Sequence, residues 1–206
     1  MKAIRLLAPV VIAALALSPM GCTPDFVENS EADVILRMVR LTGQPGSEDQ
    51  DEGDVLFSDV CCAIINDNIE LEVELILKNP SVLVPGQFND VNLERYELRY
   101  LRSDGRNVEG VDVPYRISGA LSSVQVLTGD AATVSVVGVR HQAKLEPPLK
   151  NLEGVFLGDS GRFVFPGAGV LSTTGEITIL GRTTSGKVVR AVGRIAIVFA
   201  DFSGEG

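Results

Sequence analysis

The sequence contains one histidine, three cysteines and, after its first 21 residues, no apolar run long enough to cross a bilayer. A single histidine, His141, excludes a metal site built from several imidazoles and a second histidine for a catalytic triad. No long window places apolar residues at helical spacing between caps, which excludes a helical bundle. Because a membrane-spanning helix needs about 20 apolar residues, membrane attachment would have to be made by lipid.

Excess positive charge is also missing, since the formal net charge is −9. The imbalance lies in residues 25–79, which hold 14 acidic and 3 basic residues, whereas residues 80–206 hold 13 of each. A surface that binds phosphates needs the opposite sign. Nucleic acid is therefore excluded as an expected partner.

The first 21 residues have the three parts of an export signal. Lys2 and Arg5 precede an apolar run over 6–17, and the small residue Gly21 stands directly before Cys22. This stretch resembles the precursors of bacterial lipoproteins, in which the cysteine is acylated and becomes the first residue of the mature chain. The resemblance implies lipidation of Cys22, and Thr23, where Asp would indicate retention at the inner membrane, implies an outer-membrane lipoprotein.

This signal departs from the lipoprotein pattern at two positions. Pro19 and Met20 stand where the family prefers leucine and a small residue. The alternative is ordinary cleavage after residues 14–16, which would leave a secreted protein without lipid. We expect a signal peptide over 1–21, a lipidated cysteine and tether over 22–33, and one folded domain over 34–206.

Alternation of apolar and polar residues predicts the fold class. Residues 69–77 place apolar side chains on one face and Glu70, Glu72 and Glu74 on the other, and the segments 93–101, 136–145 and 187–199 repeat this period of two. Turn signals at 103–106, 128–130 and 184–187 separate these segments. The prediction is an all-β, antiparallel, immunoglobulin-like two-sheet sandwich. We expect the acidic strand to lie beside the one carrying Arg95 and Arg99, because opposite charges attract across a strand pair.

Cys61 and Cys62 are adjacent in the sequence. If Cys22 is acylated, these two thiols remain, and in an oxidising compartment three interpretations stay open: a disulfide between the neighbours, two unlinked thiols, or a bond to a partner chain. Neighbouring residues of a strand point to opposite faces, so the vicinal bond would require a local turn. The spacing is not that of thiol oxidoreductases, and redox catalysis is not expected.

Two motifs, one acidic and one containing serine, resemble parts of functional sites but lack the other residues that those sites need. The loop over 46–54 offers Asp49, Asp51 and Asp54 as candidate calcium ligands, but it lacks the glycine and glutamate positions of a calcium loop, so a solvated loop is the favoured interpretation. The stretch 158–161, Gly-Asp-Ser-Gly, resembles the nucleophile segment of chymotrypsin-type proteases in those four residues alone. His141 is expected at the end of a strand, on an apolar face. We therefore expect no enzyme, no cofactor and no metal.

Longer segments, 92–119, 140–149 and 180–202, resemble an uncharacterised family of bacterial envelope lipoproteins with immunoglobulin-like sandwich domains. The resemblance implies export and the sandwich, and it carries over no functional residue. The leading hypothesis is a lipid-anchored, non-catalytic protein that binds or scaffolds another envelope component, expected to be a protein. The alternative is a calcium-dependent carbohydrate binder or an envelope enzyme with a site built from loops. An exposed apolar patch favours the first class, and a concave pocket with converging polar groups favours the second.

Overall fold

The alternating segments of the sequence form strands. The structure is a computed structural model that describes residues 31–46, 51–61, 65–81, 86–152, 156–157, 163–164 and 169–202. Within these ranges the strands are β1 (Val34–Gln44), β2 (Val55–Asp59), β3 (Asp67–Leu77), β4 (Val91–Leu101), β5 (Ile117–Val126), β6 (Ala131–Val139), β7 (Phe156–Leu157), β8 (Phe163–Val164), β9 (Leu171–Thr183) and β10 (Val188–Ala200). A short helix, α1 (His141–Lys144), and a 3₁₀ turn (Leu149–Leu152) lie between β6 and β7.

Eight of these strands build two sheets that pack face to face. One sheet has the order β1-β3-β6 and the other the order β2-β10-β9-β4-β5. The predicted all-β two-sheet sandwich is confirmed. Neighbouring strands are antiparallel except at one edge, where β2 runs parallel to β10. The strands β7 and β8 pair separately as a two-stranded ribbon.

The core lies between the sheets and is formed by the inward faces that the alternation predicts. In β3, β4 and β10 the buried residues are Ile69, Leu71, Val73, Leu75, Tyr96, Leu98, Tyr100, Val189, Ala191, Ile195, Ile197 and Phe199. Complete burial of a large aliphatic side chain contributes about 1.5–3 kcal/mol, so these strand faces supply most of the driving force for folding. Outward residues such as Arg99 and Arg194 stay exposed.

The three predicted turns are present at their expected places. Gly129, between β5 and β6, has φ 91°, and Gly186, between β9 and β10, has φ 90°. Side chains with a Cβ rarely adopt this left-handed backbone, so glycine is the residue that permits both tight connections. The β5–β6 turn takes the chain from one sheet to the other.

The predicted neighbour of the acidic strand is wrong. β3, with Glu70, Glu72 and Glu74 on its outer face, pairs with β1 and β6, while Arg95 and Arg99 lie on β4 in the other sheet. Basic charge comes instead from β1: the Arg37 guanidinium donates to Glu74 at 2.5 Å. Local alternation gives the charge of each face, but it does not determine which strands become neighbours.

The predicted strand over 136–145 ends early. β6 stops at Val139, and residues 141–144 form α1. The register between β3 and β6 shifts near Asp67, where Asp67 faces Val139 and Asn68 faces Val137. This bulge places an extra residue, Gly138, in β6 and changes which side chains point inward. His141 is consequently the first residue of α1 instead of a strand residue on an apolar face, and its N–H donates to Asn66 Oδ1 at 2.8 Å.

β1 begins at Val34, the first residue of the predicted domain. The predicted signal peptide over 1–21 and most of the predicted tether over 22–33 lie outside the described residues. Among the residues described, no helix has both the length and the apolar character needed to cross a bilayer.

Candidate functional site

A cavity of about 320 Å³ opens at one end of the sandwich. This end, which we call the cavity end, is formed by the last residues of β4 and β6, the first residues of β3 and β5, the β4–β5 loop (102–116) and α1. The cavity is lined by Tyr100, Tyr115, Ile117, Arg140, Gln142, Ala143 and Glu146. The volume suits a small molecule or one or two side chains of a partner.

The base of the cavity is rigid because its tyrosine is hydrogen-bonded inside the core. The Tyr100 hydroxyl donates to the carbonyl oxygen of Gly138 at 2.7 Å, and the Tyr100 ring contacts Phe199 edge to face. Burial strongly raises the pKa of Tyr100, and the positive charge of Arg140 acts in the opposite direction with a smaller effect. Tyr100 is therefore a neutral structural donor at physiological pH.

One wall is the β4–β5 loop, which is ordered by its own polar contacts. The Asp104 carboxylate accepts hydrogen bonds from the side chains of Arg102 and Arg106. Asp112 accepts from the N–H of Val108 at 3.2 Å. The hydrogen bond from Arg102 is the main reason that the pKa of Asp104 is well below its ordinary value. These contacts give the loop an internal network of hydrogen bonds.

This ordered loop presents apolar side chains to solvent. Val108, Val111 and Tyr115 are 59%, 67% and 58% exposed. Tyr115 lies against Gly110, whose φ is 76°, and a Cβ at that glycine would overlap the phenol ring. Val170, Leu145 and Ile65 are further exposed apolar residues near this end. Exposed apolar side chains on a rigid scaffold are typical of a binding surface.

The opposite wall is α1, which a buried ion pair attaches to the sandwich. Lys144 Nζ lies 2.9 Å from Asp67 Oδ2 and 3.2 Å from Oδ1, and both side chains are 1% exposed. The Oδ2 contact has ion-pair distance without the direction of a hydrogen bond. Oδ1 also accepts the N–H of Gly46 at 2.8 Å. Arg140 gives this four-residue helix no side-chain N-cap, and the helix is attached both by this pair and by the hydrogen bond from the His141 N–H to Asn66 Oδ1.

Three polar side chains at the rim are uncommitted. Arg140, Gln142 and Glu146 are exposed, and their side chains make no hydrogen bond or ion pair with the residues that the structure describes. They place a cation, an amide and a carboxylate around one concave surface. A ligand or partner group entering the cavity would therefore meet both donors and acceptors that are free to bind it.

The predicted site residues do not assemble here. Cys22, Asp49, Cys62 and residues 158–161 lie outside the described ranges. Asp51 and Asp54 are exposed, and no group of three or more potential metal ligands occurs among the described residues.

Cys61 is disulfide-bonded. The chain offers Cys22 and Cys62 as the two other cysteines, and both lie outside the described part of the chain. The pairing of Cys61 with Cys62 stays a prediction. The N–H of Cys61 donates to Asp59 Oδ1 at 3.0 Å, which fixes the backbone just after β2.

The sequence analysis identified neither the cavity nor the buried ion pair beside it. For the ion pair a signal existed. Extending the β3 alternation backwards from Ile69 places Asp67 on the inward face, and a buried carboxylate needs a cation such as Lys144. No comparable signal marks Tyr115 or Arg140, because they meet only through the tertiary fold.

Comparison of the chain with family models, with curated proteins and with solved structures finds no match.

Proposed function

We propose that this protein is a lipid-anchored, non-catalytic component of the cell envelope that binds another envelope component at its cavity end. The observation that carries the proposal is the group of exposed apolar side chains on the β4–β5 loop, Val108, Val111 and Tyr115, because an exposed apolar patch favours a binding protein. A protein partner could place a side chain in the cavity and cover the apolar loop. Arg140 and Glu146 would then select for complementary polar groups.

The direction of the chain supports this arrangement. β1 begins at the end of the sandwich opposite to the cavity, because Val34 pairs with Leu77 whereas Gln44 pairs with Asn68, next to Asp67. A chain anchored through Cys22 in the outer membrane would therefore hold the cavity end away from the lipid. The resemblance to envelope lipoproteins with immunoglobulin-like domains agrees with this proposal.

Photo-crosslinking in intact cells tests the binding surface. A photoreactive residue at Val111 should yield an adduct with a defined envelope component, while the same residue at the exposed Val39 of β1 serves as the matched control. Replacing both Arg140 and Glu146 by alanine should reduce the adduct at position 111, since both line the cavity. Equal adducts at the two positions, or no effect of the double replacement, would contradict the proposal.

The anchoring is tested separately by fatty-acid labelling and intact-mass measurement of Cys22→Ser and the parent protein. Acylation of Cys22 uses the sulfur that a disulfide to Cys61 would need, so a lipidated chain can pair Cys61 internally only with Cys62. We expect a lipid mass on the parent protein and a mass gain on reduction that corresponds to one disulfide. An unacylated parent protein that begins upstream of residue 22 would exclude the anchor.

A carbohydrate binder is the second candidate, favoured by the exposed face of Tyr115 beside Arg140, Gln142 and Glu146. Aromatic faces pack on sugar rings while such polar groups bind hydroxyls. Calorimetric titration with envelope saccharides, with calcium and with a chelator, distinguishes this class and its calcium dependence from protein binding.

A further inference from the structure

Exposed apolar side chains form a row at the end of the sandwich where β1 begins, which we call the N-terminal end. Phe88 is 75% exposed, Leu127 46% and Val188 44%. Val188 begins β10, Phe88 precedes β4 and Leu127 follows β5. These strand ends lie together because Val91 of β4 pairs with Val126 of β5 and with Thr183 of β9, and β9 lies between β4 and β10. The row therefore runs across the strand ends of the five-stranded sheet.

Hydrogen bonds hold this row in place. The N–H of Ser185 donates to the Phe88 carbonyl at 3.3 Å, and the N–H of Thr184 donates to the Asp90 carbonyl at 2.9 Å. The Asp90 carboxylate accepts the N–H of Thr128 at 3.1 Å. The segment before β4 is thus attached to both neighbouring turns, and Phe88 is exposed on an ordered part of the surface.

The start of β1 lies at the same end. Lys187 Nζ is 3.7 Å from Asp33 Oδ2, and the N–H of Lys78 donates to the Asp33 carbonyl at 3.0 Å. Eleven residue steps separate Cys22 from Asp33, and a chain of that length reaches at most about 40 Å even when fully extended. An acyl group on Cys22 would therefore keep the Phe88 row within reach of the bilayer surface.

We infer that the N-terminal end rests on the membrane that holds the acyl chains, with Phe88, Leu127 and Val188 entering the interface between headgroups and acyl chains. The occupant of this surface is a lipid bilayer, and the inference rests on the proposed lipid anchor. Acidic Asp90 and Asp130 and basic Lys78 and Lys187 all lie at this end, so the surface has no excess of positive charge that would attract anionic lipids. A zwitterionic bilayer is therefore the surface that fits.

The sequence contains no tryptophan, so one introduced tryptophan is an unambiguous fluorescent reporter. The test compares Phe88→Trp with the matched control Val111→Trp at the cavity end, both as the acylated full chain in phosphatidylcholine vesicles with brominated acyl chains. We expect a blue shift and quenching at position 88, consistent with a depth of about 5–10 Å, and neither change at position 111. Leu127→Trp provides a second reporter if Phe88→Trp is poorly folded.

Flotation of the same samples separates the two proposals. Protein that floats with the vesicles and shows no quenching at positions 88 and 127 would overturn the membrane contact while leaving the lipid anchor intact. Quenching at position 111 equal to that at position 88 would also overturn it. Protein that does not float at all would refute the anchor, and with it the inference.

Discussion

The two ends of the sandwich are stabilised by different kinds of contact. At the cavity end, the Lys144–Asp67 pair and the Tyr100 hydroxyl are buried and act where water is absent. At the N-terminal end, Asp90 and Lys187 bind neighbouring segments at the surface. Buried polar contacts are costly to break and fix one geometry, whereas surface contacts contribute little individually. We therefore expect the cavity end to resist distortion more than the N-terminal end.

Breaking the buried pair tests this difference most severely. Lys144→Met leaves the Asp67 carboxylate buried without its cation, and we expect a loss of about 3–5 kcal/mol in the free energy of unfolding, measured by urea denaturation. Replacing both residues together, Asp67→Leu with Lys144→Met, should recover much of the loss. Recovery should be incomplete, because Asp67 also accepts the N–H of Gly46. A single-variant loss below about 1 kcal/mol would contradict the role of the pair.

The next largest effect is expected at the base of the cavity. Tyr100→Phe removes the donor to the Gly138 carbonyl and leaves that buried acceptor unsatisfied, which should cost about 1–3 kcal/mol. Tyr115→Phe is the matched control, since its ring is largely exposed, and should stay within about 0.5 kcal/mol of the parent protein. Urea denaturation of both variants measures the difference. Equal losses would show that burial of the Tyr100 hydroxyl is unimportant.

A smaller effect is expected at the N-terminal end. Asp90→Ala removes the acceptor of the Thr128 N–H, and we expect a loss of about 0.5–1.5 kcal/mol in unfolding free energy. Hydrogen exchange should show faster exchange of the Thr128 amide, while amides of α1 keep their protection. A global loss comparable to that of Lys144→Met would remove the contrast between the two ends.

Acid should destabilise the β4–β5 loop locally, and only at low pH. The pKa of Asp104 is below its ordinary value of 3.8 in the folded protein, so its contribution is complete above that value and is lost only as the pH falls through the lower folded-state pKa. The amide of Arg106, which donates to Asp104, should therefore stay protected at pH 4 and lose protection in stronger acid. In Asp104→Asn this dependence on pH should disappear. Loss of protection already near pH 5 would contradict the assignment.

The strand faces could be predicted from the sequence because burial follows the two-residue period directly. The inward residues of β3, β4 and β10 and the glycine turns agree with the structure. Strand neighbours could not be predicted: Arg37 and Arg95 are both basic residues on strands, and only the tertiary topology places Arg37 beside Glu74. Which of the two arginines lies beside Glu74 depends on the order of strands in the sheets, and local sequence patterns do not specify that order.

The cavity could not be predicted for a related reason. Its lining comes from β4, the β4–β5 loop, β5 and the segment 140–146, and the β6 bulge and α1 set the path of that last segment. The strand predicted over 136–145 extends the alternation through residues 141–145, which would place Lys144 on the solvent side. The short helix turns that side chain into the core, where Asp67 stabilises it.

The parallel pairing of β2 with β10 has a consequence for folding. Val55 is aligned with Ala196, and the N–H of Val60 donates to the carbonyl of Ala200, so two segments far apart in the sequence form adjacent strands. Such distant partners slow folding, since a long stretch of polypeptide must be ordered before they meet. We therefore expect this edge of the five-stranded sheet to form later than the hairpin of β9 and β10.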